Sequence, residues 1–198
     1  MSSIFSSLSA SRSTQSTSSA TSALIPATTV CKARLSIADI DRHYYQSHQL
    51  TLAYLSTETI RKSMMRIVAY IYNANDKLTV RNQQWQHDQP ELLEQSSDNQ
   101  IKLWIDFGQP DVKRIKKACR LSKSVIVYSY NQDHTDSWWD KNKDKLSRFK
   151  NLEVFSVNAD ELEKLNNKRM TLNCTLQDGD LQINDGANNL IIERERLM

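Results

Sequence analysis

Two apolar stretches flanking a basic, helix-forming one constrain this chain more than any other feature. Ile101-Lys102-Leu103-Trp104-Ile105-Asp106-Phe107 ends at Gly108, a β-prone run closed by a turn residue. Pro110 suits the first turn of a helix, and Val112, Ile115 and Cys119 then recur at helical spacing as its expected buried stripe. Ser124 to Tyr130 follows as a near-continuous apolar strand of the kind covered on both faces. Strand, helix, strand in that order predicts a parallel crossover.

The alternation extends outward. Thr29 to Ile37 alternates apolar and polar residues, His43 to Leu55 is a second β-prone stretch, and Ile40-Asp41-Arg42 offers the turn of a hairpin between them. Ile60, Met64, Ile67, Val68 and Ile71 predict an amphipathic helix with Ser56 or Thr57 as its N-cap. A short strand is expected at Leu78 to Arg81, followed by a polar run. Beyond the crossover the pattern predicts a helix from Ser137 to Phe149, a strand from Leu152 to Val157 and a helix from Asp160 to Lys168. Asp178-Gly179 and Asp185-Gly186 then separate Thr171–Leu176, Leu181–Ile183 and Asn189–Glu193, an antiparallel meander. The whole reads as an α/β chain shading into α+β, with a mixed sheet.

Composition sets the boundaries. The first 22 residues hold eleven serines, three threonines, one charge (Arg12) and no acid, too little apolar surface to offset ordering. Residues 1–27 are therefore expected to be a disordered tail, and 28–198 a single domain. No apolar run approaches the ~20 residues that span a bilayer, so a soluble chain is expected. Three widely spaced cysteines without a CxxC pair suggest neither a disulfide framework nor a zinc ribbon, and fit a reducing cytoplasm.

Charge is localised. With 26 Lys and Arg against 23 Asp and Glu, the chain carries only +3. Between Asp111 and Lys123 stand six bases and one acid, so the remainder is net negative. Such a run is ordinarily a solvated helix face, and a phosphate-binding surface is its functional rival. The isolated glycines at 108, 179 and 186 make no GxGxxG or P-loop, so a nucleotide cofactor is not expected. His43, His48, His87 and His134 lack metal-ligand spacing. On the strand 101–107, alternation puts Lys102, Trp104 and Asp106 on one face. Asp106 is then an acid on a buried strand that must be paired, hydrogen-bonded or metal-bound. Trp104, Trp138 and Trp139 are expected to line core or groove.

Several short segments in fixed order carry a family resemblance: Ala38-Asp39-Ile40-Asp41-Arg42, Thr57-Glu58, Met64-Met65-Arg66, Pro90-Glu91, Leu103 to Gly108, Arg114-Ile115-Lys116-Lys117-Ala118, Trp138-Trp139, Met170-Thr171-Leu172 and Gln177-Asp178-Gly179. Together they resemble the YaeQ family from about Thr28 to Arg194. The resemblance implies a variant of the restriction-endonuclease-like PD-(D/E)xK core, here with an N-terminal hairpin and a C-terminal antiparallel meander. Active members of that fold cleave phosphodiesters with metal-bound carboxylates and a lysine. Carried onto this chain, the pattern places its acids at Glu58, Glu91 and Asp106, with Glu91 and Asp106 as ligands of Mg²⁺ or Mn²⁺. The lysine expected two residues after Asp106 is Gly108 instead. At ~100° per residue Lys116 falls beside the apolar stripe of the basic helix, so it is the expected replacement. Lys113, Lys117 and Arg120 would contact nucleic acid.

Each residue has a structural alternative. Glu58 in a first helical turn would complement the helix dipole. Glu91 could be a loop acid, and Asp106 the buried partner of a helix cation. Two functions follow: a metal-dependent nuclease, or a non-catalytic module that binds nucleic acid or protein on a degenerate nuclease fold.

Overall fold

A computed structural model describes residues 28–81 and 89–198. The expected tail and most of the polar run after Arg81 lie outside the described residues. The protein is a mixed α/β structure of two sheets. The first has strand order β10-β9-β8-β1-β2, built from β1 (Thr28–Asp39), β2 (Tyr44–Leu55), β8 (Arg169–Gln177), β9 (Asp180–Asn184) and β10 (Asn189–Ile192). The second has order β11-β7-β6-β5-β4-β3, from β3 (Leu78–Val80), β4 (Leu92–Gln95), β5 (Ile101–Phe107), β6 (Ser122–Tyr130), β7 (Leu152–Val157) and β11 (Arg194–Arg196).

The hairpin and the meander form as expected, and one further pairing joins them. β1 runs parallel to β8, from Lys32 opposite Arg169 to Asp39 opposite Leu176. Period-two alternation turns Cys31, Ala33, Leu35 and Ile37 inward with Leu172, Cys174 and Leu176. At one end Asp41 clamps the two turns, accepting hydrogen bonds from the backbone N–H groups of Asp178 (2.9 Å) and Gly179 (3.0 Å). These partners draw its carboxyl below the ordinary value.

Helix α1 (Ile60–Tyr72) lies in the core shared by the two sheets. Its N-cap is Thr59, whose Oγ1 accepts from Lys62 N at 3.2 Å, rather than Ser56 or Thr57. It is buried on almost every side from Ser63 to Tyr72, while Ile60 is partly exposed. Polar groups fasten it to both sheets: Tyr72 donates to the Ile192 carbonyl, and Asn73 Nδ2 donates to the Tyr128 hydroxyl. Each large apolar side chain buried here contributes roughly 1.5–3 kcal/mol.

β5, β6 and β7 are parallel, as the crossover predicts. Helices α2 (Val112–Leu121) and α3 (Gln132–Leu146) cover the other face of this sheet, packing Ile115, Ala118 and Leu146 on Trp104, Val125, Val127 and Val154. Trp138 and Trp139 pack against the same cluster. Asp111 caps α2, accepting from Arg114 N at 2.8 Å, so Pro110 precedes the cap rather than standing in the first turn. The fully buried positions of α2 are Ile115 and Ala118, with Val112 and Cys119 only half-covered. α3 begins five residues earlier than expected, because a buried Thr135 hydroxyl pairs with Ser129 at 2.7 Å. The expected helix after Asp160 is only a 3₁₀ turn, Leu162–Leu165. No described helix is long and apolar enough to cross a membrane.

Candidate functional site

The charged residues gather where β5 ends and the entrances of α1 and α2 meet it. Antiparallel register puts Leu92 opposite Ile105, and Glu91 N donates to the Ile105 carbonyl at 2.9 Å, so Glu91 stands across from Asp106. Both are buried acids, 8% and 2% exposed, so each needs partners. Different helices supply them.

Helix α1 takes Glu91. Arg66 reaches its Oε2 through Nε (3.1 Å) and Nη2 (2.9 Å), and Lys62 Nζ lies 2.9 Å from its Oε1. Arg66 also forks onto Glu58, through Nη1 at 2.9 Å and Nη2 at 2.7 Å, while Lys62 Nζ lies 3.1 Å from Glu58 Oε1. Residues 62 and 66 are one turn apart, so a single face of α1 presents both cations. Glu58 precedes the Thr59 cap and so lies outside the helix, acting on Arg66 and Lys62 through direct pairing. Burial disfavours the Arg66 charge, but its hydrogen bonds to Glu58 and the nearby charges of both glutamates outweigh it and raise its pKa.

Helix α2 takes Asp106, and the partner is Arg114. Its Nε donates to Oδ2 at 2.7 Å and its Nη2 to Oδ1 at 2.6 Å, a fork matched to a carboxylate. Nη2 also donates to the Gln89 carbonyl at 2.8 Å, and the guanidinium sits 6.0 Å from the Trp104 ring centre. Here too burial opposes the charge, and the Asp106 bonds overcome it, raising the Arg114 pKa.

Around this floor opens a cleft of about 510 Å³ lined by Lys62, Glu91, Asp106 and Arg114, with Lys113 and Lys117 on its α2 wall. Of the expected residues, Glu91, Asp106, Lys113 and Lys117 therefore line one space, and Glu58 joins through Lys62. Lys116 does not turn inward: it is exposed and absent from the lining, as is Arg120. The physical reason is that Ile115 and Ala118 centre the buried stripe: at ~100° per residue, 114, 117 and 113 fall successively round one side of it, the cleft side, and 116 falls round the other. Lys62, Arg66 and Arg114 were missed as site residues. Arg66 carried a signal, being a charge in a helix segment otherwise buried throughout.

A divalent cation between Glu91 and Asp106 is the arrangement to test. All four carboxylate oxygens accept from, or lie against, Lys62, Arg66 or Arg114. Mg²⁺ or Mn²⁺ would have to displace cations that already neutralise those oxygens, and the two acids are held by separate helices. The donor set as arranged does not fit such a metal. Among the described residues no cluster of three or more His, Cys, Asp or Glu side chains could hold one.

Fold and site together define a two-sheet α/β protein with an ion-paired cleft at the ends of its parallel strands. Comparison with known proteins agrees on the fold. The family model for YaeQ protein matches residues 24–194. The chain is 35% identical over 165 residues to the uncharacterized protein YaeQ of Escherichia coli (strain K12), covering 82% of this chain and 91% of that one. It is 35% identical over 168 residues to the Salmonella typhi protein of the same name, covering 83% and 93%. The crystal structure of YaeQ from Xanthomonas axonopodis pv. citri superposes with a TM-score of 0.84 at 32% identity, over 87% of this chain and 99% of that one. That of YaeQ from Pseudomonas syringae gives 0.81 at 25%, over 86% and 96%. The chain belongs to the YaeQ family.

Proposed function

We propose that the cleft binds the phosphate backbone of a nucleic acid without a divalent metal, on a variant of the restriction-endonuclease-like core. One observation carries this reading: both oxygens of Asp106 are taken by Arg114, whose helix also presents Lys113 and Lys117 to the same cleft. The acids act as positioning groups. Glu58 and Glu91 fix Lys62 and Arg66, and Asp106 fixes Arg114, so the floor is neutral and rigid while ammonium groups stand at its wall. Phosphate oxygens would meet these cations at little ordering cost, and displaced counterions would drive association.

The facing positions of Glu91 and Asp106 favour a second reading, metal-dependent cleavage, and one pair of measurements separates the two. Nucleic-acid affinity should fall steeply with salt, and Lys113→Ala and Lys117→Ala should each reduce the log–log slope by about 0.7–1 unit. Calorimetric titration of Mn²⁺, with and without a short oligonucleotide, should show no saturable site. A flat salt dependence would overturn phosphate binding. A Mn²⁺ site present in wild type and lost in Asp106→Ala would restore the metal-dependent reading.

A further inference from the structure

A second cationic station lies beyond the cleft. The β5–β6 register sets Ile101 opposite Ser122 and Leu103 opposite Ser124, which brings Lys102 and Lys123 side by side on neighbouring strands. Alternation puts Lys102 on the same face of β5 as Trp104 and Asp106, and Lys123 on the same face of β6 as Val125, the face that α2 covers. The two ammonium groups meet. Lys123 depresses the Lys102 pKa through direct side-chain contact and like charge, outweighing the opposing charges of Asp98 and Glu94. One half-buried and one exposed cation held together on neighbouring strands form an arrangement that a bridging anion relieves.

We propose that the ligand path continues from the cleft to this lysine pair, so that the ligand is a nucleic acid about four or more nucleotides long. This rests on the phosphate-binding reading above and adds the length and direction of the ligand. Position 102 is four residues from 106, ~13 Å along a strand, which corresponds to about four phosphate steps at the ~3.4 Å rise of a stacked strand. α2 returns along that same stretch, from its cap at Asp111 to Ser122 beside Ile101, so Lys113 and Lys117 are successive steps toward the pair.

The test compares fluorescence anisotropy of labelled oligothymidylates of about two and about eight nucleotides, with wild type and the double variant Lys102→Ala/Lys123→Ala. The longer oligomer should lose about tenfold in affinity and about 1.4 units of salt slope on the double substitution, and the shorter one neither. Equal loss for both lengths, or no loss for either, would overturn the path. If the wild type bound neither oligomer, or if Lys113→Ala had no effect on the short one, the underlying phosphate reading would fail instead.

Discussion

Arg114 grips Asp106 with two nearly parallel hydrogen bonds of 2.6 and 2.7 Å, tying the end of β5 to the first turn of α2. The arginine side chain is 18% exposed against a buried acid, so the pair is a partly buried contact that joins sheet to helix at the cleft.

Removing one partner strands the other in a poorly hydrated place. Asp106→Ala should cost about 2–3 kcal/mol, at or below the lower end of the ~3–5 kcal/mol for breaking fully buried pairs, because solvent still reaches Arg114. Asp106→Ala combined with Arg114→Leu should recover at least half of that loss. Urea unfolding followed by circular dichroism would measure both, and additive losses would show that the pair is not coupled.

Glu58 and Glu91 share Lys62 and Arg66, so their effects should not add. Glu58→Gln and Glu91→Gln, singly and together, should give a coupling energy of roughly 0.5–3 kcal/mol in a double-mutant cycle. Independent effects would contradict the shared geometry.

Gly108 stands two residues after Asp106, where the proposed nuclease-like pattern would call for a lysine. Its φ is +75°, although the space around a Cβ there is open. Gly108→Lys should therefore destabilise by about 1 kcal/mol through backbone strain alone. It should also confer no Mn²⁺-dependent cleavage, since Glu91 and Asp106 keep their cation partners. Gel assays of oligonucleotide breakdown, with a melting curve, test both halves of the statement.

The Asp41 clamp predicts a pH signature. A carboxyl whose folded pKa is depressed stabilises above the unfolded value of about 3.9, and that contribution disappears as pH falls toward the folded one. The stability difference between wild type and Asp41→Ala should be constant near neutrality and shrink below about pH 4. A difference unchanged at low pH would show that the clamp does not depend on ionisation.

The thiols should be sluggish. Cys31 and Cys174 are buried, and burial pushes the Cys119 thiol up to about 11 and the Cys174 thiol to about 12. An aromatic disulfide reagent at about pH 8 should label none of them quickly in the native protein and all three in denaturant.

Most strands were legible because period-two alternation records which face is buried, as in Cys31-Lys32-Ala33-Arg34-Leu35. The 3₁₀ turn was misread as a helix because Leu162 and Leu165 supply only one turn of apolar spacing before Asn166-Asn167. The early start of α3 was invisible, since its first turns are polar and anchored by a hydroxyl pair rather than by apolar contacts. In the site, the acids were found because a buried carboxylate demands a partner. Which cation answers each one depends on the rotation of α1 and α2 about their axes, and a run such as Lys113-Arg114-Ile115-Lys116-Lys117 offers four candidates. Ala118, small enough to be passed over as a core residue, decides that rotation.

The parallel pairing of β1 with β8 matters for a chain still leaving the ribosome. Lys32 to Asp39 waits for Arg169 to Leu176, so the first sheet cannot close until most of the protein has been made. The β1–β2 hairpin must meanwhile keep Leu35 and Ile37 from other contacts, a long-range dependence that slows folding and exposes β1 to misassociation.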